Sequence, residues 1–174
     1  MKFQRVLITA ALLFFLSIIP ALAHVSNTVI ETDEAKVVRY TGALEAKPLA
    51  ELAPAMRSWL ISWAETSEDV TITVCDILGP IPGERVPHGP ELLVQSLFGN
   101  ASFQVRNKDK KNDPLLTQLA GVRSVLKAYS SIILIEPNSR IEHFDDLIKK
   151  DADGTLDTFM APIIADKCSG KDGA

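Results

Sequence analysis

The sequence predicts an α+β fold: about five helices packed on a small sheet in a single domain tied by one disulfide. Three observations predict it. Several stretches place apolar residues at steps of three and four, while others alternate or bunch β-branched residues. In addition, Cys75 and Cys168 form an even pair in a chain that begins with an export pattern.

Lys2 and Arg5 precede an apolar run from Val6 to Ile19, Pro20 breaks the run, and Ala21, Leu22 and Ala23 offer a small-residue cut. That is the layout of a signal peptide over residues 1–23. Val6 to Ala23 carries no charge and reaches the lower edge of a bilayer span. The Pro20 break and the A-x-A ending favour cleavage, so no stable membrane anchor is expected and the location is periplasmic or secreted. Residues 24–168 are expected to form one α+β domain and 169–174, "SGKDGA", a flexible tail.

Cleavage removes Lys2 and Arg5 but none of the 22 acidic residues, so the mature chain is more acidic than the −4 of the whole sequence. The one basic cluster, Arg106, Lys108, Lys110 and Lys111, is interrupted by Asp109 and closed by Asp113. Nucleic acid is therefore not expected as a partner. In an oxidising compartment Cys75 and Cys168 are expected to pair and to tie the C-terminal segment to the middle of the chain.

The elements follow in order. The segment 27–46 is the least readable, with "KVVRY" as an edge strand. "KPLAELAPAMRSWLISWAETS" predicts a helix with Leu49, Leu52, Ala53, Met56, Trp59, Leu60 and Trp63 on one face, Pro48 in the first turn and a kink at Pro54. Two tryptophans on that face are a possible ligand platform, but at this spacing they are expected to be core. "DVTITVCDIL" predicts a strand, and "GPIPGERVPHGP" a stiff loop carrying Glu84, Arg85 and His88. Pro90 opens a short helix, "PELLVQSLF", with Gly99 as its left-handed end. "ASFQVRN" then reads as a strand, "KDKKND" as its turn, and Asn100-Ala101-Ser102 as an N-glycosylation sequon for a eukaryotic pathway.

Asp113 before Pro114 caps a long helix with Leu115, Leu119, Val122, Leu126 and Tyr129 on one face. "SSIILIEP" is expected to be a buried strand ending at Pro137. Ser139 and Glu142 spell a capping box for "RIEHFDDLIKK", with Ile141, Phe144, Leu147 and Ile148 inward. A final helix runs from a Thr155 cap to Cys168. Together, "SIILIEPNSRIEHFDDLIKK" resembles the strand, turn and helix of periplasmic solute-binding proteins, which implies a bacterial periplasmic setting.

Few residues spell out chemistry. Cleavage after Ala23 would free the amine and imidazole of His24, a pair of nitrogens that suits Cu(II). Small secreted copper proteins and copper-dependent polysaccharide oxidases begin their mature chains this way. The resemblance, confined to that feature, implies a metal site completed by His88 or His143. "KKDADGTLD" is similar to the centre of a calcium loop, but Lys149 and Met160 stand where oxygen ligands are needed, so Gly154 is read as a helix stop. Ser124 and Lys127 spell S-x-x-K without the partner motifs S-D-N and K-T-G. Glu142 and Asp146, at i and i+4, could share a proton or an ion, though a charged outer face looks the same.

The expected function is an exported, disulfide-bonded binding or accessory protein, inhibitor- or immunity-like and without catalysis or cofactor. Its partner would be another protein or a small exported ligand. The expected contact surface is the loop with Glu84, Arg85 and His88. The alternative is a secreted copper- or other metal-binding protein using His24 with His88 or His143.

Overall fold

The computed structural model describes residues 30–81 and 85–168. The expected signal segment, His24, Glu84 and the tail lie outside the described residues. Within them the chain is all helical: α1 (Asp33–Ala46), α2 (Ala53–Thr66), α3 (Gly89–Arg106), α4 (Pro114–Ile135), α5 (Glu142–Ala152) and α6 (Leu156–Lys167), with a 3-10 turn at Pro137–Ser139. The expected α+β class is thereby overturned, since the described residues hold no strand and a single isolated bridge joins Leu78 to Ile81.

Each misread strand has a physical reason. "KVVRY" lies in α1, which Thr32 starts by accepting from the Ala35 N–H at 3.2 Å, a bond worth about 1 kcal/mol. Its Val37, Thr41 and Leu44 recur at helical spacing and are buried. "ASFQVRN" continues α3 through Gly99, because Phe98, Ala101 and Val105 share the apolar face turned towards α1 and α2. "SSIILI" continues α4, whose Asp113 cap accepts from the Leu116 N–H at 3.0 Å. Ile132 is buried, but Leu134 and Ile135 project into solvent, unlike residues of a buried strand.

"DVTITVCDIL" keeps its β-branched composition but finds no strand to pair with. Side-chain amides of α3 and α4 take that role. Gln104 accepts from the Thr71 N–H at 3.0 Å and donates to the Thr71 carbonyl at 2.8 Å, while Gln118 donates to the Thr73 carbonyl at 2.8 Å. Backbone groups are obligatory hydrogen-bond partners, and two amide side chains of helices meet that demand here.

Smaller corrections concern caps. Pro54 sits in the first turn of α2 and opens it without a kink, which a proline's missing N–H allows there. The Ser139–Glu142 capping box does not form: α5 starts after Ile141, and Ser139 Oγ donates to Glu136 at 3.2 Å. Thr155 stands at the cap of α6, yet its hydroxyl turns back to the Lys150 carbonyl. Gly154 ends α5 at φ +70°, the left-handed conformation that a residue with a Cβ rarely adopts.

α4 is the axis of the fold. Its Leu119, Val122, Leu126 and Tyr129 join Phe144 and Leu147 of α5 and Leu156, Met160 and Ile164 of α6 in one core cluster. A second cluster joins Val37 and Leu44 of α1 to Ala53 and Leu60 of α2 and Phe98 of α3. Between them α3 and α4 approach so closely that a Cβ on Gly99 would stand 2.3 Å from Ser124 Cβ, and one on Gly121 2.7 Å from the Ser96 carbonyl oxygen. The expected Cys75–Cys168 disulfide is present, with Cα atoms 5.3 Å apart. It joins the end of α6 to the segment before Ile77, and both cysteines pack against the larger cluster.

Candidate functional site

The loop selected from sequence meets the start of α5. Pro80, Val86 and Pro87 from the loop and Arg140, Glu142 and His143 from the other side line a cleft of about 440 Å³. His88 precedes α3 with φ +56° and ψ +25°, a left-handed conformation costly for a side chain with a Cβ. It is held there by two contacts. Its carbonyl accepts the Leu92 N–H at 3.0 Å, and its Nε2 lies 2.8 Å from Glu136 Oε2. Ser139 donates to the same oxygen, and the bonds from His88 and then Ser139 hold the Glu136 carboxyl below its usual value. Glu136 is the residue that the sequence reasoning missed; it follows α4 directly, and only the helical course of "SSIILI" brings it to the loop.

His143 stands apart from that pair. Its ring covers Gly79 so closely that a Cβ there would lie 2.6 Å from Nε2, and Nε2 is buried without a hydrogen-bond partner among the described residues. Burial pushes the imidazole below its ordinary value of 6.5, against the pull of Asp146. The unfolded chain therefore takes up a proton near pH 6.5 that the folded ring still refuses. Stability from this group is complete above that value and is lost as pH falls from it towards the lower folded value. In His143→Gln the decline in urea midpoint between about pH 7 and pH 5 is expected to be shallower than in the parent. Equal slopes in both proteins would assign the decline to other groups.

The histidines do not assemble into a metal centre among the described residues, where no three His, Cys, Asp or Glu side chains stand together as ligands. His88 is engaged by Glu136, and His24 lies outside the described residues. Ser124 and Lys127 do meet in space, but through Glu45 of α1. Ser124 Oγ donates to Glu45 Oε1 at 2.7 Å and accepts from Gln95 at 2.9 Å, while Lys127 reaches Glu45 Oε2 at 3.1 Å. With 1% of its surface exposed, Ser124 ties three helices together and offers no open nucleophile. Glu142 and Asp146 do not form a shared site; Asp146 accepts from Lys149 at 3.2 Å. The Trp59 ring carries the Lys36 ammonium 4.0 Å from its centroid and packs edge-on against Tyr40, so its position as a bare platform is taken. Asn100 of the sequon is 3% exposed inside α3 and accepts from Gln104, a position closed to a glycan in the folded chain.

No family model matches the chain, and no curated protein or solved structure matches it. Among the described residues no helix is long and apolar enough to cross a membrane, and the disulfide is compatible with an exported protein.

Proposed function

We propose that the chain is an exported, disulfide-tied binding protein that engages a protein partner through the face formed by residues 79–81 and 85–88, the end of α4 and the start of α5. The observation that carries this reading is the His88–Glu136 contact, which holds His88, itself in a left-handed conformation, against the end of α4. A contact residue held in this way loses little freedom on binding, so more of the contact energy remains as affinity. Arg140 and Glu142 line the cleft beside it, and with Arg85, which precedes Val86 in the chain, they are the charged groups that would select among partners. Leu134 and Ile135, exposed to 83% and 67%, supply adjacent apolar surface just before Glu136. Exposed apolar side chains beside fixed polar groups are the composition of an interface core with its rim.

The test is affinity capture from the exported fraction of the native host with the full oxidised chain as bait. A partner retained by the parent is expected to be lost, with an affinity drop of about a hundredfold, when Arg85→Glu, His88→Asp and Leu134→Asp are combined. A partner that binds this triple variant as tightly as the parent would remove the proposed face. Circular dichroism on the variant separates loss of contact from loss of fold.

A further inference from the structure

The Thr71–Thr73 segment, Asn100 of α3, the start of α4 and Cys168 line a second cavity of about 190 Å³. We infer that this cavity is a binding site for a small hydroxylated carboxylate. The reasoning begins with amide orientation. The Thr71 N–H can only donate, so the Gln104 oxygen faces it and the Gln104 NH₂ group faces both the Thr71 carbonyl and Asn100. Asn100 must then turn its oxygen to Gln104, at 2.6 Å, which leaves its own NH₂ group on the other side. That group has no hydrogen-bond partner among the described residues, although Asn100 is 97% buried and lines the cavity.

Gln118 follows the same logic with the opposite result. Its NH₂ group donates to the Thr73 carbonyl, so its Oε1 is left without a donor, and it too lines the cavity. Both side chains are at least nine-tenths buried, yet these two atoms open onto the cavity and not onto a described partner, and a donor and an acceptor free beside one cavity are what a bound molecule or its displaced water would satisfy. The remaining wall supplies charge. Lys111 is the sole charged residue lining the cavity; it gives one hydrogen bond, to the Asp69 carbonyl at 3.2 Å, and its ammonium keeps two further protons. Thr117, in the first turn of α4, adds a hydroxyl that already donates to the Pro114 carbonyl and so presents an acceptor.

The ligand chemistry follows from this inventory. A carboxylate satisfies Lys111 and the Asn100 NH₂ group together, and a neighbouring hydroxyl donates to Gln118 Oε1 or to Thr117. A volume below the roughly 300 Å³ at which drug-sized sites begin restricts the ligand to a few carbons. No aromatic side chain lines the walls, so there is no surface for a sugar ring to stack on.

The experiment titrates the full chain, disulfide intact, with glycerate, propionate and glycerol while following the side-chain amides of Asn100 and Gln118 by NMR. Glycerate is expected to bind saturably and to shift both amides, with propionate and glycerol each at least about tenfold weaker. Lys111→Met, at a partly exposed position, is expected to weaken glycerate about tenfold and leave glycerol unchanged. Absence of a saturable glycerate shift at Asn100, equal affinity for propionate, or indifference to Lys111→Met would each overturn the site as described. Tighter binding of inorganic phosphate than of glycerate would overturn the assignment to carboxylates.

Discussion

Gly121→Ala is expected to lower the unfolding free energy by about 3 kcal/mol and the melting temperature by roughly 10 °C. The added methyl would stand 2.7 Å from the Ser96 carbonyl oxygen, a backbone atom of α3 that cannot rotate away. Relief requires moving the two helices apart, and the hydrogen bond from Gln95 to Ser124, which joins them, would lengthen with that movement. Gly99→Ala meets Ser124 Cβ at 2.3 Å and is expected to cost at least as much. Because the closest part of that clash is with a side chain, Ser124→Gly should recover part of the loss in the double variant, the remainder coming from the Ala120 carbonyl oxygen at 2.9 Å, and this coupling is absent when Ser124→Gly is combined with Gly121→Ala. Urea denaturation measures both. A Gly121→Ala variant within about 0.5 kcal/mol of the parent would mean that α3 and α4 are not packed backbone to backbone.

That contact also explains where the sequence was legible and where it misled. The helical face of α4, that of α2 from Ala53 onward, and the Asp113 and Gly154 boundaries were readable because periodicity, caps and left-handed glycine are local properties, whereas Pro48, Leu49 and Leu52, expected in α2, precede it, and Leu52 is exposed. The pairing of Cys75 with Cys168 was readable because an even pair of cysteines behind an export-like leader pattern has few alternatives. Gly99, by contrast, looked like a helix end, since nothing local distinguishes a capping glycine from one that admits a neighbouring helix. Once α3 was stopped at Gly99, "ASFQVRN" had to become something else, and its alternation suggested a strand.

The strand reading of "DVTITVCDIL" failed for a different reason. β propensity describes how a side chain fits a pleated surface, and it supplies no partner edge. The partner here is a set of amides, Gln104 and Gln118, that in sequence look like ordinary polar positions of amphipathic helices. In the same way the candidate loop was visible through its prolines and glycines, while Glu136, which fixes it, was hidden by the misreading of "SSIILI". Neither Asn100 nor Lys111 was singled out as a ligand-binding residue, because their relation to each other exists only after α3, the following turn and α4 have folded.

Breaking the disulfide should have the other large effect, and it should be local before it is global. A closed loop of 93 residues corresponds to about 4 to 5 kcal/mol in the chain-entropy account, and removing such a bond from a small exported domain ordinarily costs about 2 to 5 kcal/mol. In this fold the loss has a defined place. The segment from Val70 to Ile77 has no strand partner, so Gln104, Gln118 and the bond from Cys75 to the end of α6 are its principal ties. Paired replacement of Cys75 and Cys168 by Ala is therefore expected to raise amide exchange first across residues 70–77 and the last turn of α6. The α3–α4 contact, which the disulfide does not span, should retain its protection until global unfolding. If the cavity at Cys168 binds glycerate, the same variant should lose that binding while remaining folded, since two of the cavity walls are then released. Uniform loss of protection throughout the chain would instead make the disulfide a support for the whole helical fold.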